Sequence, residues 1–133
     1  MKSLLKTFSI CVVVVLSLLV TSQGFGIVIE VAPNTLNLSS QGTVVTVHTD
    51  IDYVDVVSSS VWLNGILIQS SKADSRGDFV AKFNMAAVKD LVASKGLTIP
   101  GVYTLTLTGK TTDGDDFSGS KEIAVVDVKS AGK

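Results

Sequence analysis

A chain of 133 residues, 46% of them apolar, is the size of one domain built around a single core. Eleven Lys and Arg stand against twelve Asp and Glu, a net charge of −1, and no basic run or basic-aromatic interleaving occurs; this excludes the phosphate-neutralising surface that nucleic acid requires. The one cysteine, Cys11, lies in the N-terminal apolar run, so the rest of the chain has no disulfide, no thiolate metal site and no cysteine nucleophile.

Lys2 and Lys6 precede the uncharged apolar run Ile10 to Val20, which gives way to Thr21-Ser22-Gln23-Gly24-Phe25-Gly26. That is the order of a secretory signal peptide. The run is shorter than the ~20 apolar residues of a membrane-spanning helix. Residues 1–26 are therefore expected to be removed, leaving no membrane span. Small residues at the −3 and −1 positions permit cleavage after Gly24 (Ser22 and Gly24) or after Gly26 (Gly24 and Gly26), and the second is preferred. Losing Lys2 and Lys6 leaves nine basic residues (11 minus 2) against twelve acidic ones, a charge near −3. The expected address is the periplasm, the cell surface or the exterior. A cysteine-free exported domain is held by its core alone, which points to a prokaryotic source.

From Ile27 onward the chain reads as short β-branched runs separated by turn residues, the pattern of an all-β sandwich. Ile27 to Val31 is a first strand, ended by Ala32-Pro33-Asn34; Thr35 to Leu38 is a second, closed by Ser39-Ser40-Gln41-Gly42. In Thr43 to Thr49, Val45 and Val47 share one face and Val44, Thr46 and His48 the other. Tyr53 to Val57 reads as a short strand, and Val61 to Ile68 is a hairpin about Asn64-Gly65, a pair that tolerates positive φ. Ser70 to Gly77 reads as a loop and Phe79 to Phe83 as a strand. The one helical pattern spans about 84–95, with Asn84 as cap, Val88, Leu91 and Val92 as its apolar stripe and Gly96 as its stop. After the turn Pro100-Gly101, Tyr103, Leu105 and Leu107 alternate with Thr104, Thr106 and Thr108; Asp113-Gly114 is the next bend and Phe117 to Val128 the last strand region. About seven or eight strands with one short helix describe an immunoglobulin-like antiparallel β-sandwich over residues 27–128, with 129–133 as a frayed tail.

Four groups of residues occur in a recognisable order: Thr35-Leu36-Asn37-Leu38-Ser39-Ser40-Gln41-Gly42, Val61-Trp62-Leu63-Asn64-Gly65, Val80-Ala81-Lys82-Phe83, and Tyr103 to Gly109 followed by Thr112-Asp113-Gly114 and Phe117-Ser118-Gly119-Ser120. The set resembles a widespread Ig-like β-sandwich module of secreted prokaryotic proteins, which reads TLNL-KSKG, V-x-LNG, VKF, then LTVTG-x-LTDG-x-x-F-x-G. The resemblance implies an extracellular or cell-surface accessory module without enzymatic activity. Members often carry a DxDGDG-like acidic loop before the VKF strand, suited to Ca²⁺. Here that loop is Lys72-Ala73-Asp74-Ser75-Arg76-Gly77-Asp78, with two carboxylates and two cations.

No metal site is therefore expected. Were Ca²⁺ bound, the oxygens would come from Asp74 and Asp78 or from Asp113, Asp115 and Asp116, with Asp50, Asp52 and Asp55 as a further acidic group. None of these groups has EF-hand spacing, and Asp is favoured in turns for its bonds to nearby amides. His48 is the only histidine and has no nucleophile motif around it, and no phosphate-binding glycine loop occurs. The expected function is a non-catalytic structural or protein-binding module with a protein or envelope partner. One alternative is a carbohydrate-binding module, which needs an aromatic platform. Another is a self-assembling subunit that lends Ile27–Val31 to a neighbouring sheet.

The hairpin supplies the sharpest expectation. A two-residue turn at Asn64-Gly65 sets Leu63 against Ile66, Trp62 against Leu67 and Val61 against Ile68, and opposed residues share a face. Val61 and Leu63 then point to the core, while Trp62 and Leu67 stand outward together as the partner-contact candidates.

Overall fold

The computed structural model describes residues 24–129; most of the expected signal peptide and the end of the tail lie outside them. Among these residues, ten strands form two sheets, joined by one helix. They are β1 (Phe25–Gly26), β2 (Ile29–Ala32), β3 (Thr35–Asn37), β4 (Val44–Asp52), β5 (Val56–Leu63), β6 (Ile66–Leu67), β7 (Ser70–Ala73), β8 (Asp78–Asn84), β9 (Gly101–Thr111) and β10 (Asp116–Val126), with helix α1 (Met85–Ala93) after β8. The larger sheet runs β1-β10-β9-β5-β6, with β3 also on β10, and the smaller runs β2-β4-β8-β7. Pairing is antiparallel except for β1 and β3, which lie parallel to β10. This is the strand order of an immunoglobulin-like sandwich: the first, second, fifth and fourth main strands in one sheet, the third, sixth and seventh in the other.

Alternation builds the core. Val45, Val47, Thr49 and Ile51 point inward from β4, Leu105 and Leu107 from β9, and Phe117, Ile123 and Val125 from β10. They meet Phe79, Ala81 and Phe83 of β8 and Val61 and Leu63 of β5. Each such fully buried large side chain contributes about 1.5–3 kcal/mol, which is how a sandwich without disulfides holds together. The buried Thr49 hydroxyl donates to the Phe79 carbonyl at 2.7 Å. Gly109 faces inward on β9, where a Cβ would come within 2.5 Å of the Phe117 ring, so the glycine leaves that ring its place.

Helix α1 begins at Asn84, whose side-chain oxygen accepts from the Ala87 N–H at 3.1 Å, and Met85, Val88 and Val92 are its buried face. Leu91 is only partly buried. Gly96, at φ 65°, turns the chain away after the helix.

Three local expectations need correction. The first strand, read as Ile27 to Val31, is Ile29–Ala32 of the smaller sheet, and Phe25–Gly26, read as the end of the signal peptide, forms a separate short strand of the larger. Tyr53–Asp55 is a 3₁₀ turn rather than the start of a strand; its Tyr53 ring stacks on Phe79 at 6.0 Å, so an aromatic contact rather than strand pairing fixes it. Ser70–Ala73, read as loop, is the edge strand β7; its polar side chains are those an exposed edge carries, with Lys72 among them.

Candidate functional site

The outer face of the larger sheet carries the candidate. Asn64 (φ 48°) and Gly65 (φ 85°) form the two-residue turn with positive φ at both positions, the geometry that suits the strand twist. The register is Leu63 opposite Ile66 and Trp62 opposite Leu67. Asn64 also ties the turn to the next strand. Its side-chain oxygen accepts from Thr106 N–H at 2.6 Å, and its amide donates to the Thr104 carbonyl and the Tyr103 hydroxyl, both at 3.1 Å. With the Asn64 N–H, which donates to the Thr106 carbonyl at 3.1 Å, these bonds hold the turn at four points and fix what its strands present.

What they present is an apolar pair. Val61 and Leu63 are fully buried, whereas Trp62 is 42% and Leu67 51% exposed. Val57 and Trp62 both face outward although they are five residues apart, which strict alternation forbids; a bulge between them absorbs the difference. Ser60 pins that bulge, its hydroxyl donating to the Val57 carbonyl at 2.6 Å and accepting from Lys110 N–H at 2.8 Å. Trp62 thus borders an open groove of about 590 Å³, lined also by Ser60, Thr108, Lys110, Asp116 and Ser118. Lys110 Nζ and Asp116 Oδ1 pair at 2.6 Å along its floor. The groove therefore offers one aromatic face, several hydroxyls and a mutually neutralised ion pair.

The other rings do not join Trp62. Phe79, Phe83 and Phe117 are buried, and Tyr53 and Tyr103 are partly buried against the core. Phe25 is 44% exposed, but it leans on Phe117 at 6.3 Å and lines a separate depression.

That depression, of about 400 Å³, gathers Asp50, Asp52 and Asp55 with Asp113 and Asp115 at one end of the sandwich, so the fold brings together two acidic groups the sequence kept apart. Asp50 already accepts from the Val28 N–H at 2.9 Å. Asp116 is turned away onto Lys110. Asp74 and Asp78 lie elsewhere, at the β7–β8 turn. Asp74 accepts from Arg76 N–H at 2.8 Å and Asp78 N–H at 3.0 Å, and Asp78 pairs with the Arg76 guanidinium at 3.6 Å. The bond from the Asp78 amide, joined by that from the Arg76 amide and the Arg76 and His48 charges, holds the Asp74 carboxyl below its ordinary range against an opposing effect of desolvation. Asp74 is thus a turn-capping residue. Among the described residues, no group of three or more His, Cys, Asp or Glu is arranged to hold a metal ion. His48 is exposed on the outer face of the smaller sheet, opposite Glu30 and Val80.

Sequence reasoning missed the groove itself, because the bulge that aims Ser60 and the Lys110–Asp116 pair along its floor is not a pattern of period two. No helix among the described residues is long and apolar enough to cross a membrane. Comparison with family models, with curated proteins and with solved structures found no match to this chain.

Proposed function

We propose that this chain is an exported, non-catalytic module that works by contact with a protein partner in the periplasm, at the cell surface or outside the cell. The observation that carries the reading is the outward pairing of Trp62 with Leu67 on the outer face of the larger sheet. A Trp and a Leu held together in water cost hydration free energy that burial by a partner returns, and Trp leads the residue types that dominate interface energies. The lysines, short apolar run and small residues in succession at the N-terminus and the resemblance to a secreted Ig-like module support the exported address. The test is capture from an envelope fraction by the wild-type protein, by Trp62→Ala and by Thr46→Ala on the opposite sheet. A partner held by the first and third and lost by the second supports the reading; a captured set that ignores Trp62 refutes it.

The hydroxyl-lined groove beside Trp62 favours one second reading, a carbohydrate-binding module. It is the weaker because, of the two rings along the groove, Trp62 alone is exposed, Phe117 being buried. Retention of a glycan by the wild-type protein but not by Trp62→Ala would establish it.

A further inference from the structure

We propose that signal-peptide removal cuts the Gly24–Phe25 bond and makes Phe25 the first residue of the exported chain; the inference rests on the exported reading above. Residues Ser22, Gly24 and Gly26 allow a signal peptidase either of two bonds, after Gly24 or after Gly26. The two cuts leave different folded domains. Phe25 and Gly26 form strand β1, set beside Phe117 and Ser118 of β10, and the Ile27 N–H continues the pairing to the Ser118 carbonyl at 2.9 Å. The Phe25 ring stands 6.3 Å from that of Phe117, a core residue only 2% exposed.

Cutting after Gly26 removes β1 entirely. The edge of β10 from Phe117 to Ser118 then loses its strand partner, and the Phe117 ring loses its aromatic neighbour. Cutting after Gly24 keeps both, because Gly24 lies outside β1. In that hydrolysis water adds across the amide: its hydroxyl goes to the Gly24 carbonyl carbon and its proton to the Phe25 nitrogen, which leaves as the new α-amine. Gly24 also lines the groove beside Trp62, so this cut takes away one wall of the groove and opens the proposed contact face further.

The experiment expresses the full chain from Met1 in a bacterial host and reads the N-terminus of the exported protein by sequencing and intact mass. The expected start is Phe25. A Gly26→Leu variant removes the small residue on which the competing cut depends. A Cβ at position 26 meets only the Ser118 carbonyl oxygen, at 4.0 Å, and the position is exposed; the variant's expected start is again Phe25. A wild-type start at Ile27, or at any residue other than Phe25, overturns the assignment while leaving export intact, as does a start that moves with Gly26→Leu. An intact Met1 overturns it by removing the exported reading on which it rests.

Discussion

Trp62→Ala separates an outward tryptophan from a core one by magnitude. A large side chain removed from a packed core costs about 3–5 kcal/mol, because the lost burial is joined by the cavity left behind. Trp62 is 42% exposed and its open side is a solvent-filled groove, so no closed cavity can form. Fully burying a large apolar side chain is worth about 1.5–3 kcal/mol, so a side chain little more than half buried stands to lose about 1–1.5 kcal/mol. Urea unfolding followed by far-UV circular dichroism measures this against Phe83→Ala, whose ring is fully buried and whose cost is about 3–5 kcal/mol. Trp62 is the only tryptophan, so wild-type emission reports on it alone, and the expected spectrum is red-shifted and open to acrylamide. A blue-shifted, quencher-protected emission from the monomer, or a Trp62→Ala cost equal to that of Phe83→Ala, would refute the reasoning.

Asn64→Ala loses three side-chain hydrogen bonds to β9 and puts a Cβ-bearing residue without a local side-chain bond at positive φ; at about 1 kcal/mol for each bond and 1–2 for the backbone, the expected cost is about 4–5 kcal/mol in a denaturant titration, and a cost under 1 kcal/mol contradicts the four-point turn. Asp74 has a folded-state pKa below its unfolded one, so its stabilising contribution is complete above the ordinary carboxylate range and fades as pH falls through the lowered value; Asp74→Asn should flatten the acid limb of stability against pH, and an unchanged limb would show the amide bonds to be without consequence. Millimolar Ca²⁺ or EDTA should leave the melting temperature nearly unchanged, since a ligand that binds only the native state raises it in proportion to RT ln(1 + [L]/Kd); a rise of several degrees with Ca²⁺ would place an ion among the aspartates of the end depression.

The fold was legible where one physical signal dominated. Strict alternation grouped Val45 with Val47 and Leu105 with Leu107, the faces the core buries, and the positive-φ tolerance of Asn64-Gly65 set the register that turned Trp62 and Leu67 outward. Legibility failed where tertiary contacts decide. Ser70–Ala73 has no apolar face, and only its hydrogen bonds to β8 make it a strand. Tyr53 has high strand propensity, yet stacking on Phe79 holds its segment in a 3₁₀ turn. The meeting of Asp50, Asp52 and Asp55 with Asp113 and Asp115 comes from residues some 60 positions apart being carried to one end of the sandwich, which no local spacing reveals.

The central claim is that this module meets its partner through the face that bears Trp62 and Leu67. Photo-crosslinking in the intact envelope tests it most directly, with a benzophenone side chain placed at position 67 in one protein and at position 48, on the outer face of the opposite sheet, in another. The account predicts a discrete adduct from position 67, absent from position 48 and abolished when Trp62→Ala is added. Equal adducts from both faces, or an adduct from position 48 alone, would contradict it.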